Sequence, residues 1–185
     1  MAVLKAVTAA AHERLEVRFD LDARLRSPAT YADLLERMLG FYRPVEERAA
    51  PYAAALPGLD WPGRCKVPLL LADLDAVGRG PGAPEAVAEL PAIGSADDAL
   101  GVLYVLEGAT LGGTLIARQA RMRLGITPAT GGAFFTAYGS ATAARWRAFA
   151  ATLETATAGT PSAATLAAAQ ACFSGLEAWL CDPPR

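Results

Sequence analysis

"SADDALGVLYVLEGATLGGTLIARQARMRLG", residues 95–125, is the longest helical pattern in the chain and the stretch on which the fold turns. Ser95 followed by Asp98 forms a capping pattern at one end, and Gly125 after several arginines forms a stop at the other. Gly108, Gly112 and Gly113 lie inside this apolar pattern, where each costs about 1 kcal/mol against alanine and therefore needs a compensating reason. On a helical wheel Ala109, Gly112, Gly113 and Ile116 share a face of nearly bare backbone. Such a face admits the close approach of another helix or of a flat ligand. Helix packing is the better bet in isolation, although adjacent glycines also permit a kink that packing does not require.

Working outward, residues 2–18 carry Leu4, Val7, Ala11 and Leu15 at the spacing of an amphipathic helix. A second long helix starts with Ser27 as N-cap and Pro28 in the first turn. Pro44 is expected to kink or break it, leaving the continuation to Ala55 as a separate short helix. "LPGLDWPGRC" reads as a turn-rich loop. "VPLLLADLDAVG" could be helix or buried strand, and Pro68 and Gly78 as start and stop favour helix. Residues 79–94 read as a connecting segment with at most a short helix. Helices over 140–158, led by Ser140, and 161–180, led by Thr160 and Pro161, complete the set. The expected fold is all-α, a single domain of roughly six to eight helices.

The chain has 185 residues, 53% hydrophobic and 19% charged, which suits one compact domain. Its 17 basic and 19 acidic residues are interspersed, so no broad positive field exists to bind nucleic acid. No apolar stretch is read as reaching the roughly 20 residues that cross a bilayer, and the N-terminus lacks a signal-peptide pattern. A cytoplasmic protein without a membrane partner is expected. Cys65, Cys172 and Cys181 lack metal or disulfide spacing and read as reduced bystanders.

The only histidine, His12, sits in "AAHERLE", residues 10–16. At about 100° per residue Lys5 and His12 point within roughly 20° of each other. Glu16, one turn on, could accept a bond from His12 Nδ1–H and turn Nε2 outward, the usual arrangement around a metal-binding histidine. One histidine is too few for zinc without nearby cysteines, or for a di-iron site. The geometry suits a haem iron ligand, with Lys5 about 10 Å along the axis to meet a propionate. Taken alone, the same residues also describe an ordinary surface histidine.

Together, "HERLE" and "LYVLEGATLGG" resemble the proximal and glycine-rich distal helices of the haem oxygenases, in particular the bacterial branch found beside bacteriophytochromes. "LLERMLGFYRPVE" at 34–46, "GGAFFTAYG" at 131–139 and "WRAFAATLE" at 146–154 extend the resemblance over most of the chain. It implies His12 as axial ligand to haem iron, Glu16 as its orienting partner and Lys5 as a propionate contact. It also implies that Gly112 and Gly113 lie over the distal face and set regioselectivity by sterics. Haem would be both cofactor and substrate, degraded with O2 and electrons from a ferredoxin- or flavin-type reductase to biliverdin, CO and Fe2+. A bacteriophytochrome is a conceivable recipient of the biliverdin.

Arg145, Arg147 and Tyr138 fall where the family meets the other propionate, and Phe41, Tyr42, Phe134 and Phe135 could wall the pocket or form plain core. One departure matters. Many haem oxygenases carry a distal aspartate that organises the water supplying protons, and Ala109 stands at the nearest matching position. Thr110 and Glu107 are nearby, but helical spacing turns Glu107 away from the Ala109 face. A haem carrier or sensor without turnover is therefore the alternative. A thiaminase-like enzyme on a related helical fold is the weakest reading, because no cysteine sits in a catalytic context.

Overall fold

A computed structural model describes residues 1–80 and 90–182. Among them are eight α-helices: α1 (Ala2–Arg18), α2 (Leu21–Arg24), α3 (Pro28–Ala53), α4 (Val67–Ala76), α5 (Ala96–Leu124), α6 (Ala133–Thr136), α7 (Thr142–Ala156) and α8 (Ala163–Cys181). No strand occurs among the described residues. Most of the 79–94 connecting segment lies outside them.

α5 is the axis of the bundle. It packs most extensively on α8 and also meets α3, α6 and α7, while α1 lies along α8. Ser95 caps α5 by accepting from the Asp98 amide at 3.1 Å, and the Asp98 carboxylate accepts from Gly94 N–H at 3.0 Å. Gly125 ends the helix at φ 70°, a left-handed position that suits glycine. By length and composition α5 could cross a membrane, contrary to the sequence reading. Its apolar surface is spent on protein packing instead: 56% of its most apolar window is buried.

The close approach of α5 and α8 depends on Gly101, which the sequence reading passed over. A Cβ there would stand 2.2 Å from the Thr165 carbonyl oxygen, so only glycine lets the two backbones touch. α8 also holds α1 through charge. Glu177, nearly buried, accepts from Arg14 Nε at 3.3 Å and Arg18 Nη1 at 2.8 Å.

Two expectations are corrected. α3 runs unbroken through Pro44 and Pro51 to Ala53, with no separate helix after Pro44. Its buried side runs from Leu39, Phe41 and Tyr42 to Val45, Ala49 and Ala53, so packing on both sides of Pro44 outweighs a penalty of about 3 kcal/mol. The caps of the last two helices also differ. α8 is capped by Ser162, which accepts from Thr165 N–H at 3.1 Å, rather than by Thr160. Ser140 lies in a 3-10 turn over Gly139–Ala141, and α7 begins at Thr142 without a side-chain cap. The α4 reading holds, with Gly78 at φ 74° just beyond its end.

Candidate functional site

A cleft of about 350 Å³ opens between α1 and α5. α1 contributes His12, Leu15 and Glu16, followed by Phe19, and α5 contributes Ala109, Thr110, Gly112, Gly113, Leu115 and Ile116. Met38 and Tyr42 of α3, Phe134 and Phe135 of α6, and Leu176 and Leu180 of α8 close the remaining sides. The volume and largely apolar lining are those of a small-molecule site.

Spacing on α1 puts His12 and Glu16 on the same face, with Nδ1 3.5 Å from Glu16 Oε2. The imidazole packs edge-on against Phe173 of α8 at 5.7 Å between centroids and remains 55% exposed. With Nδ1 toward the carboxylate, Nε2 is the nitrogen left for a ligand.

Across the cleft the glycines of α5 divide into two roles. A Cβ on Gly112 would meet nothing within 4 Å, so its backbone faces open space. A Cβ on Gly113 would stand 3.0 Å from the Phe135 carbonyl oxygen, so this glycine seats α6 against α5. Gly108 lies under Trp146 of α7, where a Cβ would be 3.7 Å from the indole. The stretch therefore holds packing positions at Gly108 and Gly113 and an open backbone position at Gly112.

α6 owes its place to Asp73, which is buried and accepts from the Ala133 and Phe134 amides at 2.8 and 2.7 Å. Burial pushes the Asp73 carboxyl above the usual carboxylate range, against the two amide bonds that pull it down. This bracket holds Phe134 and Phe135 in the cleft wall. Tyr42 also lines the cleft, whereas Phe41 is wholly core.

Lys5, Tyr138, Arg145 and Arg147 are not brought to the cleft wall. Lys5 is exposed two turns before His12 on α1, and Arg147 is exposed on α7. Arg145 donates to Asp60 Oδ2 at 3.1 Å and to the Gly63 carbonyl at 2.8 Å, with its guanidinium 4.9 Å from the Tyr138 ring centroid. Trp146 between the two arginines packs on Tyr104 and Phe149.

The cation on the wall is Lys66, which the sequence reading missed inside a loop. Lys66 and Arg64 are both nearly buried and converge on buried Glu107. Lys66 Nζ donates to Glu107 Oε1 at 3.1 Å, to Tyr138 Oη at 2.7 Å and to the Arg64 carbonyl, and Tyr138 Oη donates to Glu107 Oε1 at 2.7 Å. Arg64 pairs with Glu107 Oε2. Glu46 accepts from the backbone N–H of Lys66 at 2.6 Å and of Val67 at 3.3 Å. Burial lowers the Lys66 ammonium pKa, opposed by Glu107, and raises that of Tyr138. The signal in the sequence was Glu107 itself: a carboxylate on the buried side of an apolar helix requires a charged partner.

The donor set favours a ligand that brings its own coordination sphere. No group of three His, Cys, Asp or Glu side chains able to hold a metal ion occurs among the described residues. A macrocycle would need one imidazole from the chain, and His12, which lines the cleft with the bare backbone of Gly112, is the residue that would supply it. Cys172 is buried, and burial pushes the Cys65 thiol up to about 11.

No family model matches the chain. A heme oxygenase of Xanthomonas campestris pv. campestris is 37% identical over 94 residues, which cover 51% of this chain and 54% of that relative. The aligned stretch thus spans about half the length of the curated relative. The structure of the NO- and CO-bound heme oxygenase from Neisseria meningitidis superposes with a TM-score of 0.71 at 22% identity, over 96% of this chain and 86% of that one. At that identity the superposition speaks for the fold, and the Xanthomonas relative speaks for the sequence. The chain is thus similar in sequence, over half its length, to one heme oxygenase and similar in fold to another.

Proposed function

We propose that the chain binds haem in the α1–α5 cleft and cleaves it, with O2 and external electrons, to biliverdin, CO and Fe2+. The observation that carries this reading is the pairing across one apolar cleft of His12, backed by Glu16, with the open backbone at Gly112. Bound haem supplies the iron that activates O2, and the chain supplies position and environment. His12 holds the iron through Nε2, and Glu16 fixes the ring and raises its basicity. Gly112 and Ala109 would leave room beside α5 for a flat macrocycle, with backbone in place of bulky side chains on that wall. Leu15, Ile116, Phe134 and Phe135 supply apolar lining that would exclude water from a bound macrocycle. Lys5 is available to a propionate at the exposed side of α1. Electrons come from a ferredoxin- or flavin-type reductase, and a bacteriophytochrome is the proposed recipient of the product.

A haem carrier or sensor is the second reading, favoured by Ala109, which offers the cleft no polar group. Haem-loaded protein given O2 and reductant separates the two. Growth of biliverdin absorbance supports cleavage, and intact haem supports the carrier. His12→Ala should abolish the axial-ligand spectrum while altering apoprotein stability by no more than about 0.5 kcal/mol, since the side chain is more than half exposed. An unchanged haem spectrum in that variant overturns the assignment.

A further inference from the structure

The Arg64–Lys66–Glu107–Tyr138 cluster is not explained by stability. Buried ion clusters of this kind seldom outperform apolar residues of equal volume, because desolvation offsets their attraction. A buried lysine on a cleft wall with a shifted pKa is instead a candidate for chemistry. Three features give the cluster direction. Lys66 lies on the wall of the cleft, and Glu107 precedes Thr110 and Ala109 by less than one turn of α5. Tyr138 is half-buried and carries the network outward. Arg145 covers its ring and reaches Asp60, whose side chain is 59% exposed. A connected set of polar groups thus runs from the surface to the cleft, beside the position where Ala109 lacks a carboxylate.

We propose that Lys66 is the proton donor of the cleft, that Tyr138 returns protons to it from the surface, and that Glu107 is the positioning residue for both. The proposal rests on the reading that haem occupies the cleft. The ammonium of Lys66 has three hydrogens, committed to the Arg64 carbonyl, Glu107 and Tyr138. The Tyr138 bond is the exchangeable one, because that hydroxyl stays bonded to Glu107 when Lys66 turns away. Lys66 then donates one proton to an acceptor in the cleft and is left as a neutral amine. The Tyr138 O–H then turns from Glu107 to that amine and passes its proton there, while its oxygen takes a proton from solvent hydronium and the hydroxyl returns to Glu107. The net change is one proton moved from solvent to cleft, with both side chains restored. Burial, which lowers the ammonium pKa, eases the first transfer, and the Glu107 carboxylate, which favours the charged form, draws the amine back to ammonium once Tyr138 supplies the proton.

The test uses haemin-loaded wild type, Lys66→Met and Tyr138→Phe, with sodium fluoride as an equilibrium probe beside turnover. Fluoride on ferric haem takes a hydrogen bond from a donor in the cleft. Lys66→Met should bind haemin as wild type does but hold fluoride about tenfold or more weakly, the scale of a lost bond from a charged donor. Its biliverdin formation should slow, with a larger solvent isotope effect. Tyr138→Phe leaves Lys66 on Glu107, so fluoride affinity should stay near wild type while turnover slows. Wild-type fluoride affinity in Lys66→Met, or wild-type turnover and isotope effect in both variants, overturns the proposal alone. Failure of the wild type to take up haemin overturns the cleft reading and this proposal with it.

Discussion

Replacing Gly112 and Gly101 separately with alanine should move stability in opposite directions, although both lie inside α5. At Gly112 a new Cβ meets nothing within 4 Å, so the change collects only the helical preference of alanine over glycine, about 1 kcal/mol in favour of the folded apoprotein. At Gly101 the same methyl would stand 2.2 Å from the Thr165 carbonyl and 3.0 Å from the Ala168 Cβ. The obstacle is backbone of α8, which cannot rotate aside, so the helices must part. Overpacking of this kind costs about 1–3 kcal/mol or more and cancels or exceeds the preference gained. The two variants should therefore differ by roughly 1–3 kcal/mol, about 1 M in urea midpoint by circular dichroism at ordinary slopes. Haem titration supplies the second half of the experiment. Gly112→Ala should bind haem more weakly than wild type despite its greater stability, because the methyl projects into the cleft. A lowered urea midpoint for Gly112→Ala, or an unaltered haem affinity, would refute the claim that this backbone is bare for a ligand rather than for packing.

Glu107→Gln leaves Arg64 and Lys66 buried without their counter-charge and should destabilise the fold by about 3–5 kcal/mol, measured by urea unfolding; a loss below about 1 kcal/mol contradicts the ion-cluster geometry. Glu46 and Asp73 both titrate above the ordinary carboxylate range because burial penalises the ionised form. The folded state thus keeps protons that the unfolded chain has released, so this contribution to stability is full below about pH 4 and declines as pH rises through the raised values. Glu46→Gln and Asp73→Asn should each flatten that decline in urea midpoints taken across the window, and a steeper decline in either counts against it. Asp22→Asn breaks only an exposed pair with Arg123 and should change the midpoint by less than about 0.5 kcal/mol in the same assay.

What the chain discloses locally and what it does not follow from the range of the forces involved. α5 was readable because its limits are set by neighbouring residues: Ser95 accepts from the Asp98 amide, Asp98 accepts from the Gly94 amide, and Gly125 adopts a conformation that glycine favours. Pro44 was misread for the complementary reason, since a local penalty was overruled by Phe41, Val45 and Ala49 packing on other helices. Ser162 capped α8 where Thr160 had been expected, a difference of two residues that only the backbone path after Gly159 decides. The site divides in the same way. His12 and Gly112 stand out because each is chemically unusual where it sits, a lone imidazole with a carboxylate one turn on and a glycine within a helix. Lys66 does not stand out, because its burial is created by Glu107, 41 residues away, and Tyr138, 72 residues away. Read along the chain, Ala109 offers the cleft wall no polar group. Read through space, the same wall carries a charged donor from another segment. The polar character of this cleft wall is therefore set by Lys66, brought in from another segment, and not by residue 109 alone.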